Sequence, residues 1–365
     1  MSCGARALIR LGALEHNLKR IRQVAGGANV LAVVKADAYG HGLTTVAERL
    51  PDVDGFAVAR FAEAVELQDA GIERPIVLLE GVCDAAELDE ALRRRFHLVV
   101  HSERQIELLE GAYAARTAIV WLKLDTGMHR LGFHPERSAA LVQRLEACPV
   151  VGEVRLMTHL ANADHRSDDM TARQLDIFRQ AARGFEGHIS VANSPGLFGW
   201  PQSICVGREP SRSWVRAGLC LYGVSPFPNS CGSDLGLRPV MEFSTTLIDV
   251  KPIRAGDPVG YSASWRAPQD TVLGILAAGY GDGYSRFLAS GTPVLVNGRR
   301  SSLAGRVSMD MAAVDLGPGA KDEIGAPVTL WGEDLPVEEI AAGAGTIPYQ
   351  LLCGVTGRTT RITLR

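Results

Sequence analysis

No run of this chain is both long and apolar enough to cross a bilayer. The opening stretch Met1-Ser2-Cys3-Gly4-Ala5-Arg6 lacks the apolar centre of a signal peptide, so a cytoplasmic protein is expected. The seven cysteines, Cys3, Cys83, Cys148, Cys205, Cys220, Cys231 and Cys353, never form C-x-x-C. An odd number without that spacing reads as reduced thiols, and Cys205, Cys220 and Cys353 are expected to be buried and inert. Charge is nearly balanced, 38 Lys and Arg against 41 Asp and Glu for a net charge of -3. That balance gives no electrostatic case for nucleic acid or an anionic membrane as partner. The dinucleotide fingerprint G-x-G-x-x-G is missing after the first apolar run, where Gly40-His41-Gly42 follows a lysine instead. His159, Asp164 and His165 match no familiar zinc spacing, and no metal is expected. Internal repeats and low-complexity segments are absent as well.

What remains is an ordinary globular composition spread over 365 residues, too long for one compact core, so two domains are expected. Up to about Leu235, eight short apolar runs alternate with amphipathic stretches. The runs are Val30–Lys35, Gly55–Ala59, Ile76–Glu80, His97–Val100, Ala118–Leu124, Glu153–Thr158, His188–Ala192 and Trp214–Tyr222. Helical patterns lie between them, with Asp84 and Ser102 placed as N-caps and Pro135 at a first helical position. Eight such alternations predict an α/β fold, a (β/α)8 TIM-type barrel over residues 1–235. Beyond Leu235 helical periodicity nearly vanishes. Val-, Ile- and Thr-rich runs broken by Gly and Pro predict a mainly antiparallel β domain over residues 236–365, with a hairpin at Asn297-Gly298. Ser225–Leu237, rich in Pro, Ser and Gly, is the expected linker.

The chain is organised around Val30-Leu31-Ala32-Val33-Val34-Lys35. A buried strand here delivers one amine to its carboxyl end. Burial lowers an ammonium pKa, and a lysine able to lose its proton is a nucleophile and a base. The plain alternative is a salt-bridged strand-end lysine. In such a barrel function gathers at the carboxyl ends of the strands. Ser194 and the amides around Gly218 follow the seventh and eighth runs, where these barrels commonly hold a phosphate. A phosphate site facing a buried lysine suits pyridoxal 5'-phosphate, whose aldehyde condenses with an amine.

Several motifs carry a resemblance. Val34-Lys35-Ala36-Asp37-Ala38-Tyr39-Gly40-His41-Gly42, Lys123-x-Asp125-x-Gly127-Met128-x-Arg130, Ala192-Asn193-Ser194, Arg216-x-Gly218-x-x-x-Tyr222-Gly223, Gly260-Tyr261-Ser262-Ala263 and Gly305-Arg306-x-x-Met309-Asp310 are similar to those of alanine racemases. The likeness spans both domains. It implies a pyridoxal-phosphate enzyme that interconverts L- and D-alanine with two bases, Lys35 and Tyr261. By the same resemblance, Tyr39, Asn193, Ser194, Gly218, Leu219 and Tyr349 hold the cofactor, with Arg216 at its ring nitrogen and His159 linking Arg216 to Tyr261. Arg130 and the Met309 amide meet the substrate carboxylate, and Lys123, often carbamylated in this family, and Asp310 support them. Tyr261, Met309 and Asp310 are expected to reach the barrel mouth of a partner in a head-to-tail homodimer. A racemase of broader specificity or a related decarboxylase is the alternative, although a decarboxylase has no need of a second base. His129 and Ser308 depart mildly from the family pattern.

Overall fold

A computed structural model describes residues 4–113 and 115–364, so Cys3 lies outside the described residues. The first strand, β1 (Arg6–Arg10), does not enter the barrel. It pairs antiparallel with β10 (Met241–Ile253), so the chain begins in its second sheet although residues 6–10 precede every barrel element. Its alternating burial follows from Ala7 and Ile9 facing the core between three arginine and leucine positions. The helix Leu11–Ala25 then leads into the barrel and ends on left-handed Gly26.

Eight parallel strands close the barrel. They are β2 (Asn29–Val33), β3 (Gly55–Val58), β4 (Ile76–Leu78), β5 (His97–Val100), β6 (Ala118–Lys123), β7 (Val151–Met157), β8 (Ile189–Ser190) and β9 (Ser213–Ala217). Each falls within or beside one of the eight apolar runs. Closure is made by β2 on β9, with Leu31 opposite Arg216. Strand-following helices such as Ala85–Arg94 pack outside, that one capped by the Asp84 carboxylate accepting the Glu87 amide at 2.9 Å. Ser102 takes an N-cap place before Glu103–Glu110 but makes no capping bond. Its neighbour Gln105 instead turns back to accept the His101 amide at 2.9 Å, which occupies the capping region.

Inside the barrel the pleat stacks side chains in layers. Lys123, Met157 and Arg216 point to the mouth, and two residues earlier on the same strands stand Trp121, Arg155 and Trp214. The Arg155 guanidinium sits over both indoles, 5.1 Å and 5.2 Å from their ring centres. Glu153 takes two of its N–H groups, at 2.7 and 2.9 Å, so this buried cation is compensated. The floor beneath the mouth is therefore solid packing and not a pore.

The second sheet runs β13 (Thr271–Leu276), β16 (Ala312–Gly317), β15 (Arg299–Leu303), β14 (Pro293–Val296), β17 (Pro327–Trp331), β10, β1 and β18 (Thr360–Leu364), and closes on itself through β13 and β10. Only β1 with β18 is parallel. Asn297 and Gly298 form the β14–β15 hairpin with φ of 50° and 75°, as that dipeptide predicts. A minor pair, β11 (Pro258–Val259) and β12 (Trp265–Arg266), flanks the short turn bearing Tyr261. The helix Pro348–Cys353 folds back over the barrel, leaving Cys353 exposed, which corrects the expectation that this thiol is buried. Among the described residues no helix is long and apolar enough to cross a membrane.

The barrel and sheet meet at Gly223, which has φ +82° and whose absent Cβ would overlap the Arg238 carbonyl oxygen. Only glycine satisfies both demands. Gly223→Ala should lower stability by about 2 kcal/mol or more, from left-handed strain plus the clash. A urea midpoint indistinguishable from the parent would show that the junction can relax.

Candidate active site

The carboxyl ends of the barrel strands surround a cavity of about 490 Å³. Lys35 enters it just past β2, Lys123 from the end of β6, and Arg130 from the loop after β6. His159 follows β7, Asn193 and Ser194 follow β8, and Arg216, Gly218 and Leu219 come from β9 and its exit. Tyr349 closes one side from the second domain of the same chain. These residues were expected to converge, and they do.

Lys35 opens an unusual turn. Ala36, Asp37, Ala38 and Tyr39 all take left-handed backbone, with φ of 52–55°. For residues with a Cβ this costs roughly 1–2 kcal/mol each, so the surroundings must hold it. The Ala36 amide donates to Glu63 at 2.6 Å, the Leu43 amide to Asp37 at 2.8 Å and the Gly42 amide to the Asp37 carbonyl at 3.0 Å. His41 Nδ1 lies 3.0 Å from the Ala38 oxygen and 2.9 Å from that of Tyr39. Burial drives the His41 pKa down to about 4, so its ring is neutral and Nδ1–H is the donor. Tyr39 then stacks on Tyr222, ring centres 4.8 Å apart, and lies 5.8 Å from Tyr349. The Tyr222 hydroxyl donates to the Val33 carbonyl at 3.0 Å and anchors this aromatic column on β2. Nothing in the local sequence signals this left-handed run.

Opposite the turn, Ser194 and Gly218 form another wall of the cavity. Ser194 Oγ accepts the amides of Gly218 at 3.1 Å and Cys220 at 3.4 Å. A Cβ on Gly218 would stand 2.7 Å from the Tyr39 hydroxyl, so glycine alone keeps the space between them. Asn193 fixes the loop by accepting the Gly196 amide at 3.1 Å and donating to the Leu160 carbonyl at 3.2 Å.

Arg216 is buried and rigid. Its guanidinium donates to Ser190 Oγ at 2.6 Å, the Thr158 carbonyl at 2.7 Å and the Val191 carbonyl at 3.0 Å, and Nη2 lies 3.3 Å from His159 Nδ1. Burial lowers its pKa only to about 10, so it stays charged near neutrality. His159 is pushed well below its usual value by burial and by Arg216, and is neutral. Burial and the neighbouring Arg130 lower the Lys35 pKa. Burial, Arg216 and Arg130 bring Lys123 down to about 8. Among the described residues neither lysine, nor Arg130, nor Arg216 forms an ion pair with a carboxylate. Glu80 lines the wall, but its carboxylate is engaged by Arg60 at 2.6 Å. The salt-bridged reading of Lys35 therefore does not hold, and the cations of the mouth lack direct ion-pair partners among the described residues, with Glu63, Glu80 and Asp125 acting on the lysines only from farther off.

Tyr261, Met309 and Asp310 do not reach this cavity. Tyr261 is 65% exposed and Met309 53% exposed on the second domain. Their loops are nonetheless ordered by local bonds. Gly281 N donates to the Met309 carbonyl at 2.8 Å, and Arg358 bridges Asp282 and Asp310, both at 2.8 Å. Thr158, Leu131 and Ile347 also line the cavity and were not singled out. Thr158 ends the sixth apolar run and was within reach of strand-end reasoning, whereas no local pattern distinguishes Leu131 or Ile347 from core residues.

Residues 9–226 match the family described as "Alanine racemase, N-terminal domain", and residues 240–363 match "Alanine racemase, C-terminal domain". An alanine racemase from Aeromonas hydrophila is 48% identical over 353 residues, 96% of this chain and 97% of that one. The "Alanine racemase, biosynthetic" of Escherichia coli is 48% identical over 356 residues, 97% of each chain. The crystal structure of the biosynthetic alanine racemase from Pseudomonas aeruginosa has a TM-score of 0.95 at 40% identity, covering 100% of both chains. A closed barrel with a cationic mouth, joined to a second sheet and alike end to end with these proteins, defines a two-domain amino-acid racemase. Within that class the chain belongs to the alanine racemase family.

Proposed function

We propose that this chain interconverts L- and D-alanine with pyridoxal 5'-phosphate seated in the barrel mouth and with Lys35 and Tyr261 as its two bases. One observation carries the reading: the Lys35 amine and the Tyr39–Ser194–Gly218 cluster line one barrel mouth in which, among the described residues, neither lysine, nor Arg130, nor Arg216 is in an ion pair. When bound, this cofactor delocalises the electron pair left when the substrate α-proton departs.

The protein supplies the rest. Tyr39, Ser194, Gly218, Leu219 and Tyr349 would hold the phosphate, with Asn193 bracing the loop. The Lys35 amine, freed of its proton more easily than a surface lysine, would hold the cofactor through its aldehyde and, once displaced by the substrate amine, would move a proton on its own face of the substrate. Arg216 keeps its proton, so it would donate to the cofactor's ring nitrogen and would leave that nitrogen unprotonated. Neutral His159 relays the influence of Arg216 toward the second base. Arg130 would pair with the substrate carboxylate, a fork geometry that arginine favours.

Tyr261 and the Met309 amide would serve the opposite face from a second copy of the chain, in a head-to-tail homodimer, with Asp310 holding the loop through Arg358. The chain's own mouth lacks these groups, and both side chains stand exposed on the other domain. Lys123 would act as a carbamate. Its neutral amine attacks the carbon of CO2 and releases a proton, which turns one of four crowded cations into an anion facing Arg130. Because the Lys123 pKa is about 8, this product should form more readily as pH rises through that value. A carbamate signal from protein equilibrated with 13C-labelled CO2, lost in Lys123→Met, is expected; an unchanged signal in that variant would reassign the modification.

Lys35→Ala should remove both the bound-cofactor absorbance and turnover, and surviving turnover would refute the lysine's role. Racemisation has an equilibrium constant of one, so any variant loses kcat/KM equally in both directions. The two faces separate in solvent deuterium instead. Tyr261→Ala should still exchange the α-proton of one enantiomer while racemising neither, and equal exchange of both would argue against one-sided bases. Unfolding and refolding Lys35→Ala together with Tyr261→Ala should recover about a quarter of parental activity. Random pairing makes half the dimers mixed, each with one intact site. No recovery would mean that the site is not shared between chains.

A further inference from the structure

The run that carries Lys35 and Tyr39 is fastened from both domains. On the barrel side Glu63 accepts the Ala36 amide, and His41 Nδ1–H donates to the Ala38 and Tyr39 carbonyls. Asp37, in the middle of the left-handed residues, divides its carboxylate. Oδ1 accepts the Leu43 amide at 2.8 Å, and Oδ2 lies 2.8 Å from Arg361 Nη2. Arg361 belongs to β18, the edge of the second sheet, which is held in register by β1. A second contact crosses in the same place: a Cβ on Gly40 would overlap the Leu352 carbonyl oxygen, so the turn lies directly on the helix that supplies Tyr349.

We propose that Arg361 is a positioning residue: acting through Asp37, it clamps the left-handed turn, so the second domain of the same chain sets where Lys35 and Tyr39 stand. The inference rests on the reading that those two residues hold the cofactor. No glycine eases residues 36–39, so side-chain ties are needed beside the backbone bonds to hold the turn's shape. Glu63 fixes its first amide and His41 its last carbonyls, and Asp37 is the only carboxylate within the run itself. The ion pair is partly open to solvent, with side chains 33% and 45% exposed, so its loss removes little global stability. Its action is local.

The test uses full-length, cofactor-loaded protein carrying Arg361→Met, Asp37→Asn, both, or Arg361→Lys. Asparagine keeps an oxygen for the Leu43 amide and loses only the ion pair. Hydrogen exchange at the Gly42 and Leu43 amides, both bonded to Asp37, should quicken about two- to five-fold in each single variant, the size that such a pair supplies. Cofactor release should quicken by a similar factor, the urea midpoint should stay put, and Arg361→Lys should restore most of the loss. The double variant should be no worse than either single one, because both remove the same tie. Parental exchange rates in Arg361→Met, or additive effects in the double variant, would overturn the clamp. Exchange is read on the backbone and stands apart from the cofactor reading. Quickened exchange with unaltered cofactor release would leave the clamp in place and refute its bearing on Lys35 and Tyr39.

Discussion

Two lysines and two arginines share one barrel mouth, and among the described residues none of them forms an ion pair, although Glu63, Glu80 and Asp125 stand near enough to temper the charge. Burial first, and the neighbouring like charges second, disfavour a proton on these groups, and the molecule has two responses. Groups that can lose a proton shift toward doing so, and groups that cannot are tied down. Lys35 and Lys123 take the first course and His159 follows them, while Arg216 takes the second with its bonds to Ser190, Thr158 and Val191. The same imbalance makes the mouth a trap for anions. A phosphate and a carboxylate are the two that an amino-acid racemase using pyridoxal phosphate would place there.

Holding that charge requires a floor that does not yield. Beneath the mouth the barrel is filled by Trp121 and Trp214 with Arg155 laid over both, and Glu153 answers its charge. A softer or wetter layer would let water reach the lysines and return their pKa values toward normal. Arg216 also spans the ends of β7, β8 and β9, so its position is set by three strands at once. Arg130 differs, riding on a loop that turns through His129, Gly127 and Gly132 at positive φ. A side chain that must meet an arriving substrate belongs on such a loop, and one that sets the field does not.

The sequence displays the barrel well because parallel strands buried on both faces are written as apolar runs, and their last residues name the mouth. Lys35, Lys123, Ser194 and Arg216 were legible for that reason. Arg6–Arg10 was not, since a five-residue strand with an arginine at each end gives no sign of its sheet until its partner over two hundred residues away is known. The left-handed turn was hidden differently. Ala-Asp-Ala-Tyr has no local preference for positive φ, and the conformation is imposed by Glu63, His41 and Arg361, which are distant or unremarkable in the chain. Tyr349 and Ile347 reach the cavity because a helix of the second domain folds back across the mouth, a long-range fact that no periodicity records.

The division of labour between domains follows from barrel geometry. All eight strands end on the same side, so every group they deliver approaches a bound substrate from beneath or from the rim. Removing a proton from one face and returning it to the other needs a base that looks back at the mouth from outside. The chain's own second domain does not provide it, because the part lying over its mouth brings Tyr349 beside Tyr39, while Tyr261 stays outside the cavity. Its Tyr261 points away on a short turn in which Ser262 and Ala263 hold positive φ, a shape suited to presenting one side chain outward. A second copy, reversed end for end, would bring that hydroxyl to the face Lys35 cannot reach. In this arrangement one domain generates the field and the other, in its neighbour, completes the chemistry.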